Sequence, residues 1–434
     1  MNRSSLTFRA IALYCLVCAG TLYLFLHANL YAVNLVFSDQ IDLFFAYPDS
    51  PSMIDLFLQQ HGPHRRGLGS LIMYPTMVLS NFNVISIAFL TAICMSIQAI
   101  ALVLISSELK LSIWTTVLLA ILSLSLGSVE LLTVTPNISH SALPMALTSL
   151  LVLTIIKSDY RWQSNLIECF LGLSLLFTGF GIFAFLAWCI ICVLRVSYSF
   201  WQEQRKTRVE LRTNALFLFA SSLAVWIFLQ DYNTSQAAGC APTALSNPSD
   251  VVSYMAAISS MLLGAPKLDA EWVGYVIFFS YVVSGIGCLG LLLNKRREGF
   301  YPLIFILASG AFIANAAIGR HCLGLDSAYA SRYYQLMACG AVGSMITIEL
   351  LIRTYLTSRY WRVVTPTISL ITILATLTWV NNERIKLSQT YSNHKQSFLS
   401  CVETDNVAVC NQTISIYPPS SKRLEETLRK TNQI

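Results

Sequence analysis

Long apolar runs recur from residue 10 to residue 380, separated by short and mostly basic loops. That repetition constrains the fold more than any motif, because about 20 apolar residues in a row are what a helix needs to cross the hydrocarbon core of a bilayer. Lys, Arg, Asp and Glu make up 12% of the 434 residues and mean hydropathy is +0.61, whereas a water-soluble domain carries about a quarter charged residues. The chain therefore reads as an all-α polytopic membrane protein. The first apolar run lacks a convincing small-residue cleavage site, so it is expected to stay as an anchor.

Eleven crossings are expected, near residues 9–28, 84–107, 111–128, 139–157, 164–178, 180–197, 213–231, 272–294, 299–319, 334–356 and 363–380. If the N-terminus is cytoplasmic, 16 of the 28 basic residues fall on the inner side, among them Lys110, Arg195, Arg208 and the run Lys295, Arg296 and Arg297. The outer loops then hold Arg65, Arg66, Lys267, Arg320 and Arg332, and the remaining seven lie in the C-terminal tail. This is the bias that places cationic loops in the cytoplasm. The net charge of +6 thus speaks for membrane orientation and gives no support to nucleic-acid binding. Residues 1–380 form the membrane domain, with outer loops at 29–83 and 232–271. Residues 381–434 form a small folded periplasmic tail, in which "IYPPSSKRLEETLRK" is expected as a turn followed by a short helix.

One apolar run, "NLIECFLGLSLLFTGFGIFAFLAWCIICVL", has basic flanks on both sides and is too short for two full spans. It is read as two short helices meeting at "TGFG", where Gly179 and Gly181 permit a tight turn; one long tilted helix is the alternative. Such a turn must face protein or water, because lipid leaves its backbone groups unpaired. Eight of the 12 cysteines fall within expected helices as small apolar fillers. Cys240, Cys322, Cys401 and Cys410 fall on the outer, oxidising side. Closeness in sequence favours pairing Cys401 with Cys410, which leaves Cys240 for Cys322; four free thiols are the other reading.

The polar residues concentrate in the first outer loop. Asp39 and Asp42 are three residues apart and share a face of any helical turn. The stretches from Ile41 to Phe45 and from Met53 to Leu58 suggest helices lying along the membrane surface, and "QQHGPHRR" then places His61, His64, Arg65 and Arg66 together. Carboxylates beside a cluster of His and Arg at a bilayer surface are the groups needed to move a sugar from a lipid phosphate to a hydroxyl. A carboxylate base takes the acceptor proton and guanidinium groups grip the departing phosphate. Arg320 and Arg332 stand at the mouths of later helices and could converge on the same cavity. The plainer readings are surface acids for Asp39 and Asp42, a lipid-headgroup clamp for "HRR", and pairing with Asp326 or with each other's neighbours for Arg320 and Arg332. His61 and His64 lack an evident third metal ligand, and Glu349 with Arg353 reads as an intrahelical pair.

The same residues resemble a bacterial family of multi-spanning C-type (GT-C) glycosyltransferases, whose first outer loop carries an early Asp and then a "QHNEHR"-like signature. Gln60, His61, His64 and Arg65 stand at matching spacing. Gly62 and Pro63 replace the middle Asn-Glu, so the role of that Glu falls to another residue or is absent. "GSVELLTVTPN" is similar to the family stretch that brings a Glu outward, here Glu130 with Asn137 near it. "TGFGIFAFLAW" is similar to its Gly-rich break, and "SRYYQLM" to its Arg-Tyr signature at Arg332 and Tyr333. Size and topology also resemble the serotype-converting O-antigen glucosyltransferases.

The resemblance implies a bacterial inner-membrane enzyme, N-terminus in the cytoplasm and C-terminus in the periplasm. Its donor would be an undecaprenyl-phosphate sugar, most simply glucose, and its acceptor a lipid-linked or surface polysaccharide such as O-antigen. Asp39 or Asp42 is expected as general base, with Arg65, Arg66, Arg320, Arg332, Tyr333, Glu130, His61 and His64 binding substrate. No cofactor is required, although a divalent cation on the outer carboxylates stays an alternative. A flippase and a donor-synthesising transferase are the protein partners such a reaction needs. The rivals are an O-antigen polymerase or ligase, and a transporter or flippase, which would show midplane charges and related halves.

Overall fold

The computed structural model describes residues 3–45, 51–62, 64–158, 162–202, 207–233, 239–244, 246–263, 271–355, 371, 378 and 380–434. The helices are α1 (Arg3–Tyr31), α2 (Asp39–Phe44), α3 (Met53–Leu58), α4 (Gly67–Leu79), α5 (Val84–Glu108), α6 (Ile113–Leu124), α7 (Ala142–Lys157), α8 (Trp162–Leu176) and α9 (Gly181–Gln202). They continue as α10 (Thr207–Leu229), α11 (Pro248–Ser260), α12 (Glu271–Leu293), α13 (Phe300–Arg320), α14 (Tyr334–Tyr355), α15 (Asn381–Val402), α16 (Val407–Ile414) and α17 (Ser421–Lys430). Among the described residues the strands are β1 (Gln60–His61) and β2 (His64–Arg65), one antiparallel hairpin with His61 opposite His64.

Seven helical segments are long and apolar enough to cross a membrane: Ile11–Tyr31, Val84–Glu108, Gly181–Trp201, Val209–Leu229, Glu271–Leu293, Arg297–Leu323 and Ser331–Tyr355. The chain is thus a helical multi-pass membrane protein. Gly67–Leu79, Ile113–Ser128 and Ala142–Lys157 are apolar but shorter, and the crossing expected at 363–380 lies almost wholly outside the described residues. In the apolar window of the last span 78% is buried, against 22% in the first. α14 is therefore a core element against α13, α12 and α6, while α1, α10 and α12 turn large apolar side chains such as Leu22, Phe219, Trp226 and Phe279 outward, as lipid-facing helices do.

Local chemistry starts these helices where the hydropathy does. Asn83 caps α5 by accepting from Ile85 N, and Ser112 caps α6 by accepting from Thr115 N. The apolar run around "TGFG" is two helices, α8 and α9, tied along their length by a buried ion pair: Arg195 Nη1 donates to Glu168 Oε1 at 2.7 Å, and Trp188 Nε1 donates to the same oxygen at 3.3 Å. Glu349 and Arg353 do not pair with each other. Glu349 accepts from Ser112 N, and Arg353 donates to the carbonyls of Leu109 and Lys110, so both hold the α5–α6 turn, whose exposed backbone groups compete better than an i,i+4 neighbour.

The tail holds the expected turn and short helix, as α17 after Pro418 and Pro419, and two further helices precede them. α15 packs on α1 and on a π-helical turn at Glu130–Val134, and α16 and α17 fold back over the first loop. Disulfides join Cys401 to Cys410 and Cys240 to Cys322. Ser38 N donates to Ile416 O at 3.2 Å and Val36 N to Gln433 Oε1 at 2.9 Å, so the tail straps the first loop down. The fully buried Lys395 donates to Leu35 O at 3.2 Å and faces the Phe37 ring, and burial pushes its amine down to about 7.

Candidate functional site

Where α13 ends and α14 begins, two cavities share a wall at Arg332. The larger, ≈ 340 Å³, is lined by Glu130, Asp326, Ser327 and Arg332, with Leu387 and Tyr391 from α15 closing one side. The smaller, ≈ 70 Å³, is lined by Asp39, His61, His64, His140, Phe180 and Arg320 as well as Arg332. Residues from six separate stretches of sequence thus meet at one end of the bundle.

Arg332 is the junction. Its Nη1 lies 3.4 Å from Asp39 Oδ2 and 3.3 Å from Glu130 Oε1. Glu130 is held from below, since its Oε2 accepts from Arg332 N at 3.3 Å and its own amide donates to Ser331 Oγ at 3.1 Å. The π turn that carries Glu130 widens the helix by one residue, a distortion frequent at functional sites. Tyr333 keeps the second cation close: Arg320 Nη1 donates to its hydroxyl at 2.6 Å, and both guanidinium groups sit beside its ring, at 5.9 and 5.6 Å from the centroid. Two arginines can stand together here because two carboxylates and one aromatic ring face them.

Asp39 opens α2, and long-range bonds fix it there. Ser38 before it takes φ of 50°, a region that L residues rarely occupy. Gln40 after it donates to Pro136 O at 2.8 Å. The placement of Asp39 therefore depends on the tail and on the 135–141 loop, and not on local preference. The same loop delivers His140, after Asn137 Oδ1 has accepted from Ser139 N at 2.8 Å.

The hairpin presents the other histidines. Gly62 turns at φ of 58°, and Gln60 holds both backbone groups of Asn233. Gly179, at φ of 61°, lets the α8–α9 turn dock beneath: its N donates to Arg65 O at 2.9 Å, and a Cβ there would lie 2.3 Å from Ser139 O. The rings of His61, His64 and His140 lie 5.8 to 6.3 Å apart, and Phe180 stacks on His140 at 26°. Three of the six histidines in the chain are in this cluster. Burial, followed by the charges of Arg66, Arg332 and Arg320, lowers His61 to about 3. His64 and His140 also fall well below their ordinary value, again chiefly through burial. All three are neutral at pH 7.

Three expected site residues are placed differently. Asp42 turns away from the cavities to the tail, accepting from Tyr417 Oη at 2.7 Å and pairing with Arg423 at 3.1 Å. Burial and that carboxylate push the Tyr417 phenol up to about 12. Arg65 donates to the carbonyls of Phe228, Leu58 and Gln230; it caps the C-terminal end of α10, where orphan carbonyls attract a cation. Arg66 is fully buried behind the histidines and acts on them through its charge. His140, Phe180, Ser327 and Tyr391 were not foreseen. His140 could have been, as a lone histidine where an apolar helix leaves the membrane; the others carry no signal of their own.

Among the described residues, no three His, Cys, Asp or Glu side chains are grouped to hold a metal ion. A divalent cation bridging Asp39 and Glu130 would have to displace Arg332. No family model matches the chain, and no curated protein matches it either.

Proposed function

We propose that the chain is a GT-C-type membrane glycosyltransferase that moves a sugar, most simply glucose, from undecaprenyl phosphate to a lipid-linked or surface polysaccharide such as O-antigen. It works at the periplasmic face of a bacterial inner membrane. One observation carries the reading: Asp39, Glu130, Arg320 and Arg332 converge on two neighbouring cavities that share Arg332 at one end of an apolar bundle. A polyprenyl chain can lie along the lipid-facing helices while its phosphate reaches the arginines, and a polysaccharide can approach from the water. The eleven-crossing topology, with the basic loops inside, belongs to the same proposal.

Asp39 Oδ accepts the proton of the acceptor hydroxyl as that oxygen attacks the anomeric carbon. The bond from that carbon to the phosphate oxygen breaks, and its electron pair leaves with polyprenyl phosphate. Arg332 and Arg320 stabilise the charge that develops there. Glu130 and Tyr333 hold the two guanidinium groups in place, and Asp42 serves the fold. Proteoliposomes supplied with undecaprenyl-phosphate glucose and a lipid-linked polysaccharide should yield glucosylated acceptor and free undecaprenyl phosphate. Arg332→Ala should cut the rate by about 10²- to 10³-fold, the scale for losing one preorganised charge stabiliser. A purified, folded protein that transfers no hexose from any polyprenyl phosphate overturns the proposal.

A further inference from the structure

The smaller cavity holds a feature the proposed reaction does not use. His64 is 5% exposed and lines the cavity, yet neither of its ring nitrogens has a hydrogen-bond partner among the protein groups described. A buried polar atom without a partner is destabilising, so a fold keeps one where something else completes it. The group that completes it must enter the cavity, because Phe180 closes one flank of the ring and His61 and His140 stand on the others.

Volume and charge narrow the choice. The chamber measures ≈ 70 Å³ against ≈ 340 Å³ for its neighbour, so the neighbour takes the hexose ring and the chamber takes an exocyclic hydroxymethyl group. The groups facing His64 are His61 on the hairpin, His140 on the 135–141 loop, Asp39 on α2, Arg66, Arg320 and Arg332. Cations on several sides disfavour a fourth, so the imidazoles stay uncharged. A neutral imidazole offers one N–H donor and one acceptor, the complement of a hydroxyl. Phosphate, by contrast, pairs with Arg320 and Arg332, which line the same cavity, and leaves the neutral imidazoles to a hydroxyl.

We propose that the chamber formed by His61, His64, His140 and Phe180 is a hydroxyl-reading subsite that takes the hydroxymethyl edge of the transferred hexose, with His64 as its principal hydrogen-bonding partner. This rests on the reading above and deepens it. In a hexose the exocyclic CH₂OH is the one hydroxyl on an arm, and so the one that can extend from the larger cavity into the smaller chamber. The chamber therefore sets specificity, while Asp39 and the arginines carry the transfer.

The experiment compares kcat/KM for undecaprenyl-phosphate glucose and undecaprenyl-phosphate 6-deoxyglucose, in wild type, His64→Ala and His64→Asn, each checked by size-exclusion profile. Wild type should prefer the hydroxylated donor by about 10²-fold or more, since a site built to pair a hydroxyl rejects the analogue that lacks one. His64→Ala should bring the ratio close to one, mainly by losing activity on glucose, and His64→Asn should restore part of the preference. Equal use of both donors by wild type, or an unchanged ratio in folded His64→Ala, overturns the subsite and leaves the glycosyltransferase reading standing. Transfer from neither donor removes both. If His64→Ala does not fold, the wild-type ratio decides.

Discussion

At the scale of single residues, the site is organised by which charges are allowed neighbours. Arg332 bridges Asp39 and Glu130, Tyr333 holds Arg320 beside it, and three buried imidazoles are left neutral. The histidines make stability depend on pH in a defined direction. Their folded values lie below the unfolded value of about 6.5, so as pH falls through that value the unfolded chain takes up protons and the folded chain does not. Stability is complete above about pH 6.5 and is lost on acidification, at about 1.4 kcal/mol per pH unit for each histidine that stays neutral. Thermal unfolding in detergent should therefore show the midpoint falling from pH 7 to pH 5, with a shallower fall in His140→Gln. A midpoint that rises over this range, or an unchanged slope in the variant, contradicts the assignment. Asp39, Glu130, His61, His64, Arg320 and Arg332 could be picked out of the sequence because charge is scarce in an apolar chain. Asp42 and Arg65 look the same in sequence, and only packing shows that one serves the tail and the other caps α10.

At the scale of elements, the long helices were legible because hydropathy and length dictate them. The distortions between them were not. α4 hides in "GLGSLIMYPTMVL", where two glycines and Pro75 argue against a helix, and the break after Leu124 with its π turn follows from packing against Ser331 and α15. The α8–α9 turn was legible through its glycines, and it links the hairpin to the His140 loop. Gly179→Ala should cost about 2 kcal/mol or more, because alanine is strained at positive φ and its Cβ would meet Ser139 O. The midpoint of thermal unfolding reads this; a variant as stable as wild type would mean that the turn is not tightly docked on the 135–141 loop.

At the scale of the whole molecule, an apolar bundle carries its reactive groups at one end, with the tail folded over them. α15 walls the larger cavity, and α16 and α17 fix the approach to Asp39. The tail was legible as a small folded appendage, but its polar sequence says nothing about which surface it covers. The account depends most on the division of labour between the two aspartates of the first loop. Transfer from undecaprenyl-phosphate glucose, measured in proteoliposomes with Asp39→Asn and Asp42→Asn at equal amounts of folded protein, tests it most directly. The account predicts that Asp39→Asn loses about 10²- to 10⁴-fold in turnover, the range for a missing general base, while Asp42→Asn keeps near wild-type turnover and loses about 1 kcal/mol of stability. Full activity in Asp39→Asn, or a collapse confined to Asp42→Asn, would contradict it.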